Sequence, residues 1–285
     1  MPRVTILVAT RNRPAMLRRA VRSALDQTVD DLEVVVVDDH SSPPAEVPDD
    51  PRVRLIRLPD RAGVAGARNA GLREARGDYV AVLDDDDELL PEMAEVSLAA
   101  VRDADLPEPV AALSGLRVVA DGEAVDERLP PTLPRGARFF LEEIPPERSF
   151  WTKQTLVAPR AVLRELGGWD ERFESRVDSE LFLRLNAVCS IQGVPEVTHL
   201  RHEHGGDRLG TDPTLRQTSF RRLVAKHREV LRSRPRGCAR FVLDHAITSL
   251  RFGQRRAALR WLARAVAVDP ISPARRLVRA LRRRI

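Results

Sequence analysis

Two periodicities alternate along the first half of the chain. Residues 4–9 form a short apolar run rich in β-branched side chains, the pattern of a strand buried on both faces. A polar stretch follows, Thr10, Arg11, Asn12 and Arg13, and Pro14 stands where a first helical residue belongs. Leu17, Val21, Ala24 and Leu25 then recur at helical spacing. Residues 32–37 predict a second buried strand, ending at Asp38 and Asp39. Such β-α-β units build parallel sheets by right-handed crossover.

The pattern repeats. Residues 53–58 predict a third strand, and the Gly- and Ala-rich residues 63–76 a loop entering a helix. Residues 79–83 predict a fourth strand, which stops at Asp84, Asp85, Asp86 and Asp87. Residues 91–102 predict a helix, and residues 110–119 a strand ending at the turn signal Asp121 and Gly122. The Pro-rich residues 130–146 suit an irregular surface segment. Beyond them come a short strand over 156–158 and a helix over 159–166, stopped by Gly167 and Gly168. A helix over 179–185 follows, with Leu181, Leu185 and Val188 on one face. From about Thr211 the pattern is helical to the end, which places a domain boundary near residue 210: a catalytic domain over 1–210 and a helical region over 211–285.

Composition narrows the class. A hydrophobic fraction of 43% over 285 residues supports a sizeable core, and 4% aromatics rest that core on Val, Leu, Ile and Ala. The formal net charge of +5 is a mild, diffuse excess. All basic residues except Lys153 and Lys226 are arginine, and no nucleic-acid-binding signature accompanies them. Cys189 and Cys238 form no C-x-x-C pair and read as inert reduced thiols. The first apolar run is too short for a signal peptide, and no run approaches the ~20 apolar residues that span a bilayer. A cytoplasmic protein, soluble or peripheral at the inner face of a membrane, is the expectation.

Ligands of open α/β sheets bind beyond the carboxyl ends of the strands. Three polar clusters fall there: residues 10–13, Asp38 with Asp39, and residues 84–87. Four adjacent carboxylates repel one another, two charges ~4 Å apart by about 4 kcal/mol at an effective dielectric near 20. A hard divalent cation offsets that repulsion and takes its remaining ligands from phosphate and water. A solvated acidic loop before a helix is the plain alternative for such a run. Its position after an apolar strand favours the metal. Asp39 suits a nucleobase N–H or ribose hydroxyls, although a strand-end turn through Ser41, Ser42 and Pro43 accounts for it equally. Arg68 and Asn69 lie among small residues that allow close approach of a phosphorylated ligand. Ordinary helix packing is the alternative there.

The segments 4–13, 23–28, 33–41, 63–71, 77–87, 167–171 and 178–185, taken in order over about the first 205 residues, resemble family 2 glycosyltransferases. The resemblance implies a GT-A fold: an α/β, Rossmann-like mixed sheet with helices on both faces, here followed by a C-terminal helical appendix. It implies a nucleoside-diphosphate sugar as donor, Mn²⁺ or Mg²⁺ as cofactor, and inversion at the anomeric carbon. Asp39 then matches the base-contacting residue, within a strand-end loop that includes Thr10, Arg11 and Asn12. Arg68 matches the basic residue near the nucleotide. Asp84 and Asp86 match the D-x-D acids, with Asp86 the preferred metal ligand and Asp84 on ribose or the metal's water shell. Asp85 is counted with the donor-contacting residues, local structure being its alternative and that of Asp87. Asp178 matches the catalytic base, although Val177 stands where the family usually has Glu; a first-turn helix acid is compatible with that role. The resemblance implies a His after the catalytic helix that closes on metal or diphosphate; of His202 and His204, His204 is favoured because Gly205 and Gly206 follow it and Arg208 could reach a phosphate, against two surface histidines in a loop.

Trp151 or Trp169 could stack on an acceptor sugar, core packing being the commoner fate of tryptophan. Residues 253–270 resemble one helix of a tetratricopeptide-like unit. The basic, amphipathic residues 273–285 admit peripheral contact with an anionic membrane, a solvated face with one packed side being the plainer reading. The acceptor is a hydroxyl of a polysaccharide, a lipid-linked glycan or a secondary metabolite. Two rivals remain: a silent sugar-nucleotide-binding module, and a sugar nucleotidyltransferase. The second needs a Gly-rich loop directly after the first strand, and residues 10–13 contain no glycine.

Overall fold

The computed structural model describes residues 3–203 and 212–271. His204 and the segment 273–285 lie outside them. By contacts the chain divides into two units, Met1–Ala137 with Ile144–Gly206, and Arg138–Glu143 with Asp207–Ile285.

The first unit begins with β1 (Val4–Thr10), α1 (Pro14–Leu25), β2 (Leu32–Asp38), β3 (Val53–Arg57), α2 (Gly63–Glu74) and β4 (Tyr79–Asp84). Strands β1, β2, β3 and β4 are parallel, in the spatial order β3-β2-β1-β4. The apolar runs of β1, β2 and β4 reflect burial on both faces: Ile6, Val8, Val34 and Val36 are fully buried, and α1 lays Leu17, Ala20, Val21 and Ala24 over them. Each such side chain contributes about 1.5–3 kcal/mol by leaving water. β3, at the sheet edge, leaves Leu55 40% exposed.

The sheet continues with strands of both directions: β5 (Glu88–Leu89), then after α3 (Met93–Arg102) β6 (Val110–Ala120), β7 (Glu123–Arg128) and β8 (Val157–Pro159). A 3-10 turn, Lys153–Thr155, precedes β8; α4 (Arg160–Glu165), α5 (Val177–Val188) and β9 (Ser190–Glu203) follow it. The full order is β3-β2-β1-β4-β8-β6-β9-β5, with β7 also paired to β6. Three strands, β5, β7 and β9, go beyond the sequence expectation. β9 is the consequential one, because strand structure continues to Glu203. Gly193, Pro195 and several polar residues break its apolar pattern, and its extended form comes from parallel pairing to β6 across a register shift at Gly115.

Two local expectations are corrected. Residues 63–69 are not a loop before a helix, because α2 starts at Gly63. Val188 does not share the buried face of Leu181 and Leu185; it is 42% exposed at the last turn of α5. Both cysteines are buried, and burial pushes the Cys189 thiol up to about 12, in keeping with inert thiols.

His199 on β9 is buried, and burial lowers its pKa to about 3. The unfolded chain takes up this proton near pH 6.5 and the folded chain does not. Stability from this group is therefore complete above pH 6.5 and lost as pH falls towards 3, by about 1.4 kcal/mol per pH unit. His199→Gln is expected to flatten the acid limb of a urea-unfolding stability profile between pH 7 and 5. An unchanged slope would show that other groups set it.

Among the described residues the second unit holds residues 138–143 and four helices, α6 (Pro213–Lys226), α7 (Arg228–Arg232), α8 (Pro235–Arg251) and α9 (Arg255–Val268). Its centre is aromatic. Phe220 stacks on His245 at 3.7 Å and lies 5.4 Å from Phe241, which meets Phe140 at 5.2 Å. The tetratricopeptide-like segment is thus the second arm of a helical pair, α8 with α9. Among the described residues no helix is long and apolar enough to cross a membrane.

Candidate functional site

The ladder register brings the three polar clusters to one sheet edge. Thr10 stands opposite Asp38, and Ala9 opposite Asp84, at the carboxyl ends of β1, β2 and β4. Asp38 is fully buried and accepts hydrogen bonds from the backbone N–H groups of Ser41 and Ala45. These bonds hold its carboxyl below the usual range, against the opposing effect of burial. It is a loop anchor. Asp39 accepts from the N–H of Ala62 at 2.6 Å and of Gly63 at 3.0 Å. Ala62 and Gly63 begin α2, whose own N-cap residue offers no side-chain bond, so Asp39 caps that helix from the neighbouring strand. Asn12, at φ 57°, accepts from the N–H of Ser42 and is itself held by Ser41. Arg11 is exposed.

The aspartate run separates into two branches. Asp85 turns back to β1, accepting from the Thr10 hydroxyl at 2.8 Å and from Arg13 at 2.9 Å. Arg13 also donates to Asp86 at 3.2 Å. Burial pulls the Arg13 guanidinium down, and Asp85, Asp86 and Asp84 together outweigh that and hold it above its usual pKa. Arg13 was legible only as one member of a polar loop; its role comes from contact with residues 72 and 73 positions away. Burial also pushes the Asp85 carboxyl up, against Thr10 and Arg13.

The other branch is Asp84. Arg68, 3% exposed, donates to Asp84 at 2.6 Å through one terminal nitrogen and to Asp178 at 2.7 Å through the other. One guanidinium thus bridges the acid at the end of β4 and the acid in the first turn of α5. Burial raises the Asp84 carboxyl, Arg68 opposes it, and the charges of Asp86 and Asp178 add to the rise. Trp169 supports the bridge. Its ring lies 5.6 Å from the Arg68 guanidinium carbon, and its Nε1 donates to Asp178 Oδ1 at 3.1 Å. Arg68 and Trp169 both use Oδ1, so Asp178 Oδ2 makes no hydrogen bond among the described residues.

Trp169 is 1% exposed, which corrects the expectation that it stacks on a sugar. Asn69 fixes it by accepting from the Trp169 N–H and donating to the Trp169 carbonyl, each at 2.8 Å. Gly168 makes that approach feasible. Its φ is 68°, and a Cβ there would lie 2.2 Å from Asn69 Oδ1. Trp151, by contrast, is 47% exposed, with the Lys153 ammonium 4.8 Å from its ring centre.

Asp84, Asp86 and Asp87 each offer a carboxylate oxygen, all within 4.8 Å of one another. An all-oxygen set of this size fits a hard divalent cation such as Mg²⁺ or Mn²⁺. Asp87 enters beside the expected Asp84 and Asp86, whereas Asp85 is engaged elsewhere. Asp87 also ties the run to β9, accepting from the N–H of His202 at 3.1 Å. His202 Nε2 lies 2.6 Å from the Glu88 carboxylate.

Comparison with known proteins gives a consistent pattern. The model for "Glycosyl transferase family 2" matches residues 5–131. The succinoglycan biosynthesis protein ExoO of Rhizobium meliloti is 48% identical over 97 residues, 32% of this chain and 28% of that protein. A GalNAc(5)-diNAcBac-PP-undecaprenol β-1,3-glucosyltransferase of Campylobacter jejuni is 38% identical over 97 residues, 32% of this chain and 31% of that protein. The chain thus spans under a third of the length of these two relatives. The crystal structure of S. aureus TarS 1–349 in complex with UDP superposes with a TM-score of 0.60 at 19% identity, covering 86% of this chain and 72% of that one.

Proposed function

The chain carries a family 2 glycosyltransferase domain with the GT-A fold, and on that premise we propose that the protein transfers a sugar from a nucleoside-diphosphate sugar to a hydroxyl acceptor, with inversion and with the help of a divalent cation. The observation that carries this reading is the Arg68 bridge, which joins a cation-suited acid to a carboxylate with one oxygen held and one available.

Each residue then has a physical task. Asp84, Asp86 and Asp87 would hold the cation, which when bound neutralises charge on the departing diphosphate. Arg68 is positioned to favour the same developing charge, and its guanidinium stays cationic at any working pH. Asp178 Oδ1 is fixed by Arg68 and Trp169, which leaves Oδ2 to take the acceptor hydroxyl's proton as its oxygen attacks the anomeric carbon. Thr10, Arg11, Asn12, Asp39 and Asp85 would frame the nucleoside. Asp39 does so while capping α2, since each carboxylate oxygen keeps a second lone pair. His204 remains a proposed additional ligand, and peripheral membrane contact through residues 273–285 remains a proposal.

Release of UDP from UDP-glucose and UDP-N-acetylglucosamine tests the reading. Turnover is expected to vanish with EDTA, to return with Mn²⁺, and to fall at least about 100-fold in Asp86→Asn, the scale on which lost electrostatic stabilisation is felt. Turnover that ignores both EDTA and the substitution would remove the metal from the reaction. UDP binding without turnover of any donor would favour the silent binding module instead.

A further inference from the structure

The positive charge is not spread along the chain, as its overall balance suggests. Residues 212–285 contain 20 basic and 4 acidic side chains, and residues 1–211 contain 27 and 38. Asymmetry of this size between two parts of one chain points to an anionic partner for the basic part. A groove of about 580 Å³ opens on the second unit, lined by residues of all four helices. Arg221 and Val224 are three apart on α6, and Arg228 stands three and four positions before Leu231 and Arg232 on α7. Trp261, Arg264 and Val268 repeat that spacing on α9. Helical geometry therefore sets each arginine beside an apolar side chain on the face that meets the groove.

The groove has an apolar floor and a cationic rim. Val224 and Leu231 are buried, whereas Arg221, Arg228, Arg232 and Arg264 are exposed. Trp261 is held in place between them. Its Nε1 donates to Gln217 Oε1 at 2.9 Å, and its ring meets Phe220 edge-on at 4.8 Å. Gln217 in turn donates to Ser249 and to Gln254, each at 2.8 Å. Among the described residues that line the groove none is acidic. Arg221 reaches the Thr218 hydroxyl at 3.5 Å and Arg264 lies 5.8 Å from the Trp261 ring centre, and none of the four arginines forms an ion pair among the described residues. Guanidinium groups donate and do not accept. A sugar, whose hydroxyls need acceptors as well as donors, is poorly matched here. Single-stranded nucleic acid needs a row of aromatic platforms, and one tryptophan among aliphatic side chains is not such a row. An anionic head with an aliphatic tail matches both parts of the groove. Its volume falls in the range of sites for one small molecule, about 300–1,000 Å³.

We propose that this groove holds one anionic phospholipid of a membrane surface, with its phosphate among Arg221, Arg228, Arg232 and Arg264 and an acyl chain against Val224, Leu231 and Trp261. Arginine suits the head because its planar fork pairs with phosphate oxygens two at a time. The floor contributes by removing the chain from water. The site uses none of residues 273–285 and none of the residues around Arg68, Asp84 and Asp178, and it stands whether or not the transferase reading does.

The test is co-sedimentation of the full chain with vesicles of phosphatidylglycerol or of phosphatidylcholine, with tryptophan fluorescence read in parallel on vesicles whose acyl chains are brominated. Binding to phosphatidylglycerol is expected to be at least about ten-fold tighter. Bromine quenches an indole only near contact, so the chain should quench Trp261, and Trp261→Phe should lose that quenching. Arg228→Gln with Arg232→Gln is expected to weaken binding at least about ten-fold, since each arginine at an anionic surface contributes a few-fold. Arg236→Gln with Arg251→Gln removes the same charge from exposed positions of α8 outside the groove and should weaken it far less. All these substitutions except that of Trp261 are at exposed positions, and the melting temperature of each variant reports its fold. Equal affinity for the two lipids overturns the proposal, as does an equal loss in the two arginine pairs, which would assign binding to overall charge. Quenching retained in Trp261→Phe overturns it too. Inorganic phosphate bound as tightly as the lipid, or an RNA oligonucleotide bound more tightly than the vesicles and weakened by the same Arg228 and Arg232 substitutions, would give the groove to another ligand and reject the lipid.

Discussion

Asp178→Asn is expected to reduce sugar transfer by about 10²–10⁴-fold, the usual contribution of a positioned general base. The substitution is nearly isosteric. Its carbonyl oxygen can keep the bonds from Arg68 and from Trp169 Nε1, now 2.7 and 3.1 Å long. An amide nitrogen then occupies the place of Oδ2 and cannot accept a proton. The loss should fall on kcat rather than on the KM for donor, because in the proposed step the proton moves only as the acceptor oxygen attacks. Steady-state rates with a fixed donor separate the two parameters. Unchanged turnover would remove Asp178 from the chemistry and leave it as the first-turn acid of α5.

Arg68→Met is expected to have the largest effect on stability. The guanidinium is 3% exposed and is the direct partner of both Asp84 and Asp178. Removing one member of a buried ion pair destabilises by about 3–5 kcal/mol, because the charge left behind is uncompensated. Here two acids are left behind. For a chain of this size that corresponds to a fall in Tm on the order of 10 °C. Adding Asp178→Asn to Arg68→Met should recover part of the loss, since one of the two repelling charges is gone, and a double-mutant cycle measures that coupling. The sign of the pH dependence follows from Asp84. Burial raises its carboxyl, against Arg68, so the folded state takes up this proton at higher pH than the unfolded chain does. The deficit of Arg68→Met should therefore shrink as pH falls and grow as pH rises. A loss below about 1 kcal/mol would mean that solvent or neighbouring groups replace the guanidinium.

The parts of the fold legible in the sequence are those with local causes. β1, β2 and β4 are mostly apolar because helices cover both faces of that part of the sheet, and the polar interior pair Thr5 and Glu33 is buried, with a hydrogen bond from Thr5 to Glu33. The polar residues that end them mark the strand ends, and the parallel register aligns those ends. Gly167 and Gly168, both at positive φ, mark a real stop after α4. β9 escaped notice for the converse reason. Its 14 residues pair with β6 on one side and with two-residue β5 on the other, and its burial is mixed. Alternation is therefore weak, and hydrogen bonds to remote chain segments make it a strand.

The candidate site divides along the same line. By itself the sequence placed acids at the strand ends, and its resemblance to a family added Arg68 and Asp178 to them. Charge type and spacing are local properties. Only the tertiary structure decided how those charges are shared. It assigned Asp85 to Thr10 and Arg13, placed Asp87 with Asp84 and Asp86, gave Asp39 the start of α2, buried Trp169 beneath Arg68, and joined Asp84 to Asp178 through one guanidinium. A carboxylate's partner depends on which cation or N–H reaches it at about 3 Å. For Asp39, Asp84, Asp85 and the Arg68 bond of Asp178, those partners come from 16 to 110 residues away.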